Sequence, residues 1–141
     1  MLVMDDMTQR CLDEITLMSA RVALADRDAV RIPYICLVSG RAKELMMISR
    51  KTAERMVIAT KGLINIDEAR TLALLHISQL CEADIPELLH MPLSKAKNLL
   101  ANLAARGLTS ALTYEDVVYH QQSPGELHAQ FSDLALGAHS A

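Results

Sequence analysis

The sequence is nearly without aromatic residues: it has no tryptophan and one phenylalanine, and aromatics make up 3% of its 141 residues. Apolar residues nevertheless account for 51%, which excludes a disordered chain. The core must be built from Leu, Ile, Val, Ala and eight Met. Leu, Ala and Met favour helices and are poor strand formers. Composition therefore predicts an all-α protein with one core, or two small lobes sharing one.

The sequence also lacks the features of exported and membrane proteins. No apolar run approaches the roughly 18–20 residues needed to span a bilayer. The start of the chain lacks the basic region of a secretory signal. Cys11, Cys36 and Cys81 are an odd set without metal-like pairing, so we expect buried thiols in a reducing cytosol. These absences predict a cytoplasmic protein without a membrane partner.

Enzyme signatures are missing as well. There is no Gly-rich phosphate loop, no H-E-x-x-H, no C-x-x-C and no G-x-S-x-G. His76, Cys81 and His90 have spacings that fit no standard metal site. We therefore expect no enzymatic activity, no cofactor and no metal in this chain.

A long amphipathic helix is predicted over residues 4–26. Its apolar residues recur every three or four positions, which aligns them on one helix face. Such a stripe usually faces the core, but a methionine-rich stripe of this length also suits packing against a second copy or a partner chain. As an oligomer interface it comprises Met4, Met7, Cys11, Ile15, Met18 and Val22.

Two segments have the outline of a helix-turn-helix. Asp84–Leu108 predicts a short helix capped by Asp84, a turn at Pro92 and a longer amphipathic helix stopped by glycine. A cruder copy, Glu44–Leu63, predicts a short helix over about 41–48 and, after the N-cap Ser49, a second over about 50–61. The segment 63–66 between the units is predicted to be a short strand or an extended link.

These elements predict a single helical domain over residues 1–120. Residues 4–66 would hold the dimerisation helix and the first unit, and residues 67–120 the second unit. Residues 121–141 are expected to be a loose tail, because they contain a Ser-Pro-Gly boundary and no Lys or Arg, or to dock weakly through Leu127, Phe131, Leu134 and Leu136.

The outer face of the longer helix carries residue types that suit nucleic acid. With Ser94 as N-cap, an apolar face is buried and Lys95, Asn98, Asn102 and Arg106 lie opposite. Asn can form two hydrogen bonds with adenine, and Lys or Arg can bind guanine or phosphate. An ordinary solvated face explains the same residues, so both interpretations stay open.

The first unit also contains the cations Arg50, Lys51 and Arg55, and its glutamates partly offset their positive charge. Packing is the favoured role of their helix, and phosphate contact is the second interpretation. The net charge of −3 adds a constraint, because a lone DNA-binding protein usually carries a basic excess.

The order of parts resembles the D subunit of the bacterial flagellar master transcriptional activator, including relatives encoded on mobile genetic elements. The resemblance covers about residues 12–100. The stretches that carry it are Glu14-Ile-Thr-Leu17, Ser19-Ala20-Arg21, Asp26-Arg-Asp-Ala-Val30, Met56-Val-Ile-Ala-Thr-Lys-Gly-Leu-Ile64 and Asp84–Leu100. Asn65 stands where the family often has a cysteine able to cross-link a dimer, and residues 107–141 have no counterpart.

The resemblance implies an all-helical homodimer that joins a zinc-bearing C-type subunit on double-stranded DNA and recruits RNA polymerase. The acidic balance agrees, because a partner would then supply much of the basic surface. We therefore expect a transcriptional activator subunit.

Two alternatives remain. A stand-alone winged-helix-like repressor would place wing strands at Leu108–Leu112 and Asp116–His120, and so predicts a β-hairpin over 108–120. A helical adaptor would have no DNA contact.

Overall fold

The fold is mixed α/β, so the all-α prediction is wrong. The computed structural model describes residue 15, residues 17–24 and residues 27–140. Residues 17–24 are helical and are labelled α1. The elements that follow are β1 (Ala29–Ile35), β2 (Ala42–Ile48), α2 (Arg50–Ala59), α3 (Ile66–Ile77), α4 (Asp84–Leu89), α5 (Leu93–Ala105), β3 (Thr109–Tyr114), β4 (Val117–Gln122), α6 (Glu126–Gly137) and β5 (His139–Ser140).

The segment predicted as a helix over about 41–48 is instead β2, the partner of β1. The two strands are antiparallel, with Ala29 opposite Ile48 and Ile35 opposite Ala42. The short β5 runs parallel to β1 on its other side. Residues 45–48 are all buried, so β2 lacks the alternation of buried and exposed residues that marks a half-buried strand. Tertiary burial overrides helix propensity here, and the first helix-turn-helix-like unit is not formed.

The sheet lies between two core clusters. Val30, Ile32 and Leu45 face one cluster, which α1, α4 and α5 complete. Met46 and Ile48 face the other, which contains residues of α2, α5 and α6. Helix α3 contributes to both clusters, and its residues 71–75 are all buried. A helix that is apolar on all sides belongs in a core, and α3 is the central element of this fold.

Helices α2 and α3 each begin at a residue whose side chain caps the helix. Ser49 caps α2 as expected, with its side chain accepting a hydrogen bond from the Thr52 N–H. Asn65 caps α3 and forms a capping box with Glu68. Of the two alternatives predicted for residues 63–66, the strand is not formed; Asn65 has an extended backbone and serves as the N-cap of α3.

The second unit is extended by a hairpin. After α3, Leu80 forms an isolated antiparallel bridge to His120, and α4, α5, β3 and β4 follow. Strands β3 and β4 pair from Thr109 opposite Gln122 to Tyr114 opposite Val117. One helix, a bridging residue, two further helices and a hairpin thus follow one another in this unit. The hairpin is the one that the repressor alternative requires over 108–120, and the all-helical fold implied by the family resemblance is not the fold of this chain.

The C-terminal segment, expected to be a loose tail, forms α6. Leu127 and Ala135 are buried, and Phe131 is fully buried in the second core cluster. The Arg31 side chain of β1 donates a hydrogen bond to the carbonyl of Ala135 at 2.9 Å. The single phenylalanine thus anchors α6 to the centre of the molecule.

The described part of the predicted N-terminal helix packs through a different face from the stripe. Leu17 and Ala20 are buried in the first core cluster, whereas Met18 and Val22 are exposed. Met4, Met7 and Cys11 lie outside the described residues. Across the described part of the chain, no helix has the length and apolarity needed to cross a bilayer.

Candidate nucleic-acid interface

Helix α5 presents a face without acidic residues to solvent. Ala96, Leu99, Leu100 and Leu103 bury the opposite side of the helix. The exposed residues include Ser94, Asn98, Ala101, Asn102 and Ala105. Gly107, with φ +73°, ends the helical segment in the left-handed region that glycine adopts without strain. The face consists of small and polar side chains, and the major groove is wide enough to admit an α-helix.

The two predicted asparagines are the free polar groups of this face. Asn98 and Asn102 are exposed, and neither side-chain amide forms a hydrogen bond within the described part of the chain. An amide on an exposed helix face can offer one donor and one acceptor together, as adenine requires.

The predicted cations beside them are held toward α3. The Lys95 Nζ lies 2.8 Å from the Asp67 carboxylate, with 55% of its side chain exposed. Arg106 forms an ion pair with Glu68 and donates to the carbonyl of Leu63. Arg106 therefore fastens the end of α5 to the first turn of α3, whereas Lys95 remains accessible.

The cations predicted in the first unit lie on α2. Arg50 pairs with Glu54 across one helical turn, and Arg55 pairs with Asp28 at 2.5 Å. Lys51 is exposed and has no ion pair among the described residues. Arg50 also lines a cleft.

That cleft, of about 600 Å³, lies between α2 and the N-terminal turn of α3. Its lining residues are Arg50, Val57, Asn65, Ile66, Asp67 and Arg70. Burial lowers the pKa of Arg70, the charge of Asp67 opposes this effect, and repulsion from Arg50 and Arg21 adds to it. Because Asp67 also contacts Lys95, the cleft and the start of α5 share one cationic surface.

The β3–β4 hairpin carries no Lys or Arg over residues 109–122. Its turn residues, Glu115 and Asp116, have φ of +50° and +64°, as a two-residue hairpin turn requires. Arg41, in the loop after β1, lies 3.6 Å from the Glu115 carboxylate and 5.2 Å from the Tyr114 ring centre. The wing is thus fixed in position, and its tip is acidic.

The exposed stripe formed by α1 and the preceding Ile15 includes three of the residues predicted as an oligomer interface. Ile15, Met18 and Val22 are 59%, 63% and 75% exposed. They line a shallow cleft of about 500 Å³ with Ser19 and Ala23. Large apolar side chains grouped at a surface are typical of protein contacts.

His76, Cys81 and His90 do not meet. The His76 Nδ1 is 3.0 Å from the Gln122 Oε1, and His90 contacts Arg21. Cys81 lies beside Cys36 and Asp84 instead, in a buried cluster. The sequence offered only one sign of this cluster, the Cys81-x-x-Asp84 spacing, and Asp84 was expected to cap α4. Burial raises the pKa of the Cys81 thiol to about 12.

None of the protein-family models and none of the curated proteins compared with the chain matches it. The inferences about function therefore depend on the geometry described above.

Proposed function

We propose that the chain is a winged-helix transcription regulator that binds double-stranded DNA through α5. The observation that carries the proposal is the exposed, acid-free face of α5 within a helix-turn-helix that is followed by a hairpin. In such units the second helix of the helix-turn-helix enters the major groove and its first turns meet the base edges. Asn98 is the central base-reading residue, with Asn102 beside it.

Phosphate contacts would come from the cationic surface next to the start of α5. Lys95 contributes an accessible ammonium, and Arg50 and Arg70 contribute the guanidinium groups of the neighbouring cleft. A phosphate oxygen would replace the Asp67 carboxylate as the partner of Lys95. Arg106 is assigned a structural role, since its donors already bind α3.

The stripe on α1 supports a homodimer. A second copy covering Ile15, Met18 and Val22 would remove large exposed apolar groups from water. Two copies of α5 would then be available for a DNA site with two half-sites.

The charge of the chain favours a second candidate, the hetero-oligomeric activator subunit. A net charge of −3 and an acidic wing give little counterion release on their own. A basic C-type partner subunit, with RNA polymerase recruited in turn, would supply the missing positive charge. Both candidates would act in the cytoplasm, together with the DNA that they bind.

The test is selection of duplexes from a random DNA library, followed by affinity measurements on variants. Asn98→Ala should weaken binding to the selected duplex by about tenfold and relax one base position, because a bidentate contact contributes about 1–3 kcal/mol. Gln130→Ala, which removes an exposed amide from α6, is the matched control and should leave the affinity unchanged.

Three outcomes separate the candidates. Enrichment by the chain alone, lost in Asn98→Ala, supports the stand-alone regulator. Enrichment only when a co-purified partner is present supports the activator subunit. If the folded chain enriches no duplex, either alone or with a partner, DNA binding is contradicted. The adaptor without DNA contact is then the remaining alternative.

A further inference from the structure

Two thiols and a carboxylate meet in the interior, away from the α5 surface. Cys36 follows β1, Cys81 precedes α4 and Asp84 is the first residue of α4. The two Sγ atoms are 3.4 Å apart, and the Cys36 Sγ is 3.1 Å from the Asp84 Oδ2. All three residues are buried, and their ligand atoms lie within 4.8 Å of one another. Side chains more than 40 positions apart in sequence are thus brought to one point.

The triangle of atoms has nearly the dimensions of a tetrahedral metal site. With metal–sulfur bonds of about 2.3 Å and metal–oxygen bonds of about 2.0 Å, ligand sulfurs are separated by about 3.8 Å and a sulfur–oxygen edge is about 3.5 Å. The observed edges are 3.4 Å and 3.1 Å. Each observed edge is therefore about 0.4 Å shorter than in such a site, and the ligand atoms would have to move apart by that amount to admit an ion.

The carboxylate of this triangle is held in a fixed orientation. The Asp84 Oδ1 accepts hydrogen bonds from the Leu37 N–H at 2.9 Å and the Tyr34 hydroxyl at 3.1 Å. The Oδ2 accepts from the Cys81 N–H at 3.0 Å. Metal-binding carboxylates and imidazoles are commonly oriented by such outer hydrogen bonds.

The charge of Asp84 also points to a cation. The residue is completely buried, and within the described part of the chain it forms no ion pair. Buried charges are usually paired or coordinate metals, because an uncompensated charge in a low-dielectric interior costs free energy.

We propose that Cys36, Cys81 and Asp84 bind one thiophilic divalent cation, for which Zn²⁺ has the right ligand preference. The ion replaces the two thiol protons, which pass to the solvent, and no electrons are transferred. The fourth tetrahedral position is left to water. The ion enters from the turn after β1, where Leu37 and Val38 are exposed.

The bound ion would join three parts of the fold. It would connect the end of β1 to the start of α4, and Tyr119 of β4 belongs to the same buried cluster as the two cysteines. Metal binding in the folded state alone stabilises that state, so Zn²⁺ should raise the melting temperature.

The test is titration of the full chain with Co²⁺ under a non-thiol reductant, which keeps the cysteines from forming a disulfide. Wild type should develop a thiolate-to-cobalt charge-transfer band that saturates at one equivalent, release about two protons per ion, and lose the band when Zn²⁺ is added. Asp133→Asn, which changes an exposed carboxylate on α6, is the control and should behave as wild type. Cys36→Ser should lose the band and the Zn²⁺-dependent rise in melting temperature.

A second variant serves if Cys36→Ser does not fold. Tyr34→Phe removes only the hydroxyl that orients Asp84, and should weaken Co²⁺ binding by about 10–100-fold. A wild-type chain without the band, or a band of equal affinity in folded Cys36→Ser or Tyr34→Phe, would overturn the proposal. The measurement contains no DNA, so its result is independent of the proposed regulator.

Discussion

Arg106, the first residue after α5, is ion-paired with Glu68 in the first turn of α3. The same guanidinium donates to the Leu63 carbonyl, so the end of the proposed recognition helix is attached to the central helix of the core. The pair sets the position of α5 relative to the cationic cleft.

We expect Arg106→Ala to lower the free energy of unfolding by about 1–3 kcal/mol, because the nearly buried Glu68 carboxylate would lose its charged partner. Urea unfolding followed by circular dichroism measures the loss. Arg50→Ala breaks an exposed ion pair with Glu54 and should cost at most about 0.5 kcal/mol. Equal losses in the two variants would show that the Arg106 pair is an ordinary surface contact.

Phe131→Ala should be among the most damaging single substitutions, with a loss of about 3–5 kcal/mol, because it empties a fully buried site between α6 and α3. The matched change on the same helix, Leu136→Ala, affects a side chain that is 84% exposed and should change stability by about 0.5 kcal/mol or less. Thermal or urea unfolding of wild type and the two variants measures these changes in stability. A Phe131→Ala protein as stable as wild type would mean that α6 adds little to the core.

The sequence predicted some elements of this fold and missed others. The helix-turn-helix around α5 was predicted because its apolar spacing and its stop at Gly107 are local signals. The β1–β2 hairpin was not, because residues 45–48 are buried on both sides and have no alternation. Whether that segment forms a strand is decided by the helices that cover it, and a local pattern does not contain that information.

The candidate site also combines features that local sequence patterns predict with contacts that they do not. The exposure of Asn98 and Asn102 follows from the helical period of α5, which the sequence displays. The ion-pair partner of Arg106 is 38 positions away, and the partners of the Asp84 carboxylate include Cys36 and Tyr34, which are 48 and 50 positions away. Such contacts depend on the tertiary arrangement, so an arginine expected on DNA and an aspartate expected as a helix cap are engaged elsewhere.

Stability should fall as the pH falls below about 6.5. Burial lowers the pKa of His76, against a raising effect of its hydrogen bond to Gln122, and burial also lowers the pKa of His120. A histidine whose pKa is lower in the folded state stabilises the fold above its unfolded pKa. That contribution is lost as the pH falls through the folded pKa.

Melting temperatures measured between about pH 5 and pH 8 test this expectation. His76→Gln removes one of the two titrating groups and should flatten the acid limb of the profile. An unchanged acid limb in this variant would assign the pH dependence to other groups.

Asp116→Gly should raise both stability and the proposed DNA affinity. Asp116 has φ +64°, and a residue other than glycine in this region costs about 1 kcal/mol. The change also removes a negative charge from the wing tip. Urea unfolding and duplex binding at two salt concentrations measure the two effects. Asp133→Asn, an exposed charge change on α6, is the control. A gain in stability without a gain in affinity would place the wing tip away from DNA.

Met18→Glu should convert the proposed dimer into a monomer, because it places a charge in the exposed stripe of α1. Sedimentation equilibrium gives the mass directly. Ile58→Glu is the matched control, since Ile58 is 77% exposed on α2. Wild type and both variants with the same mass would exclude the α1 stripe as the dimer contact.

The short β5 leaves part of the sheet open. It pairs only with Val30 and Arg31, so residues 32–35 of β1 form an uncovered strand edge within the described part of the chain. Such edges invite strands of other molecules and lead to aggregation. Pro33 lies in the middle of this edge, is exposed and has no N–H to offer an incoming strand. Replacing Pro33 with a residue that has a backbone N–H should therefore promote sheet-like aggregation.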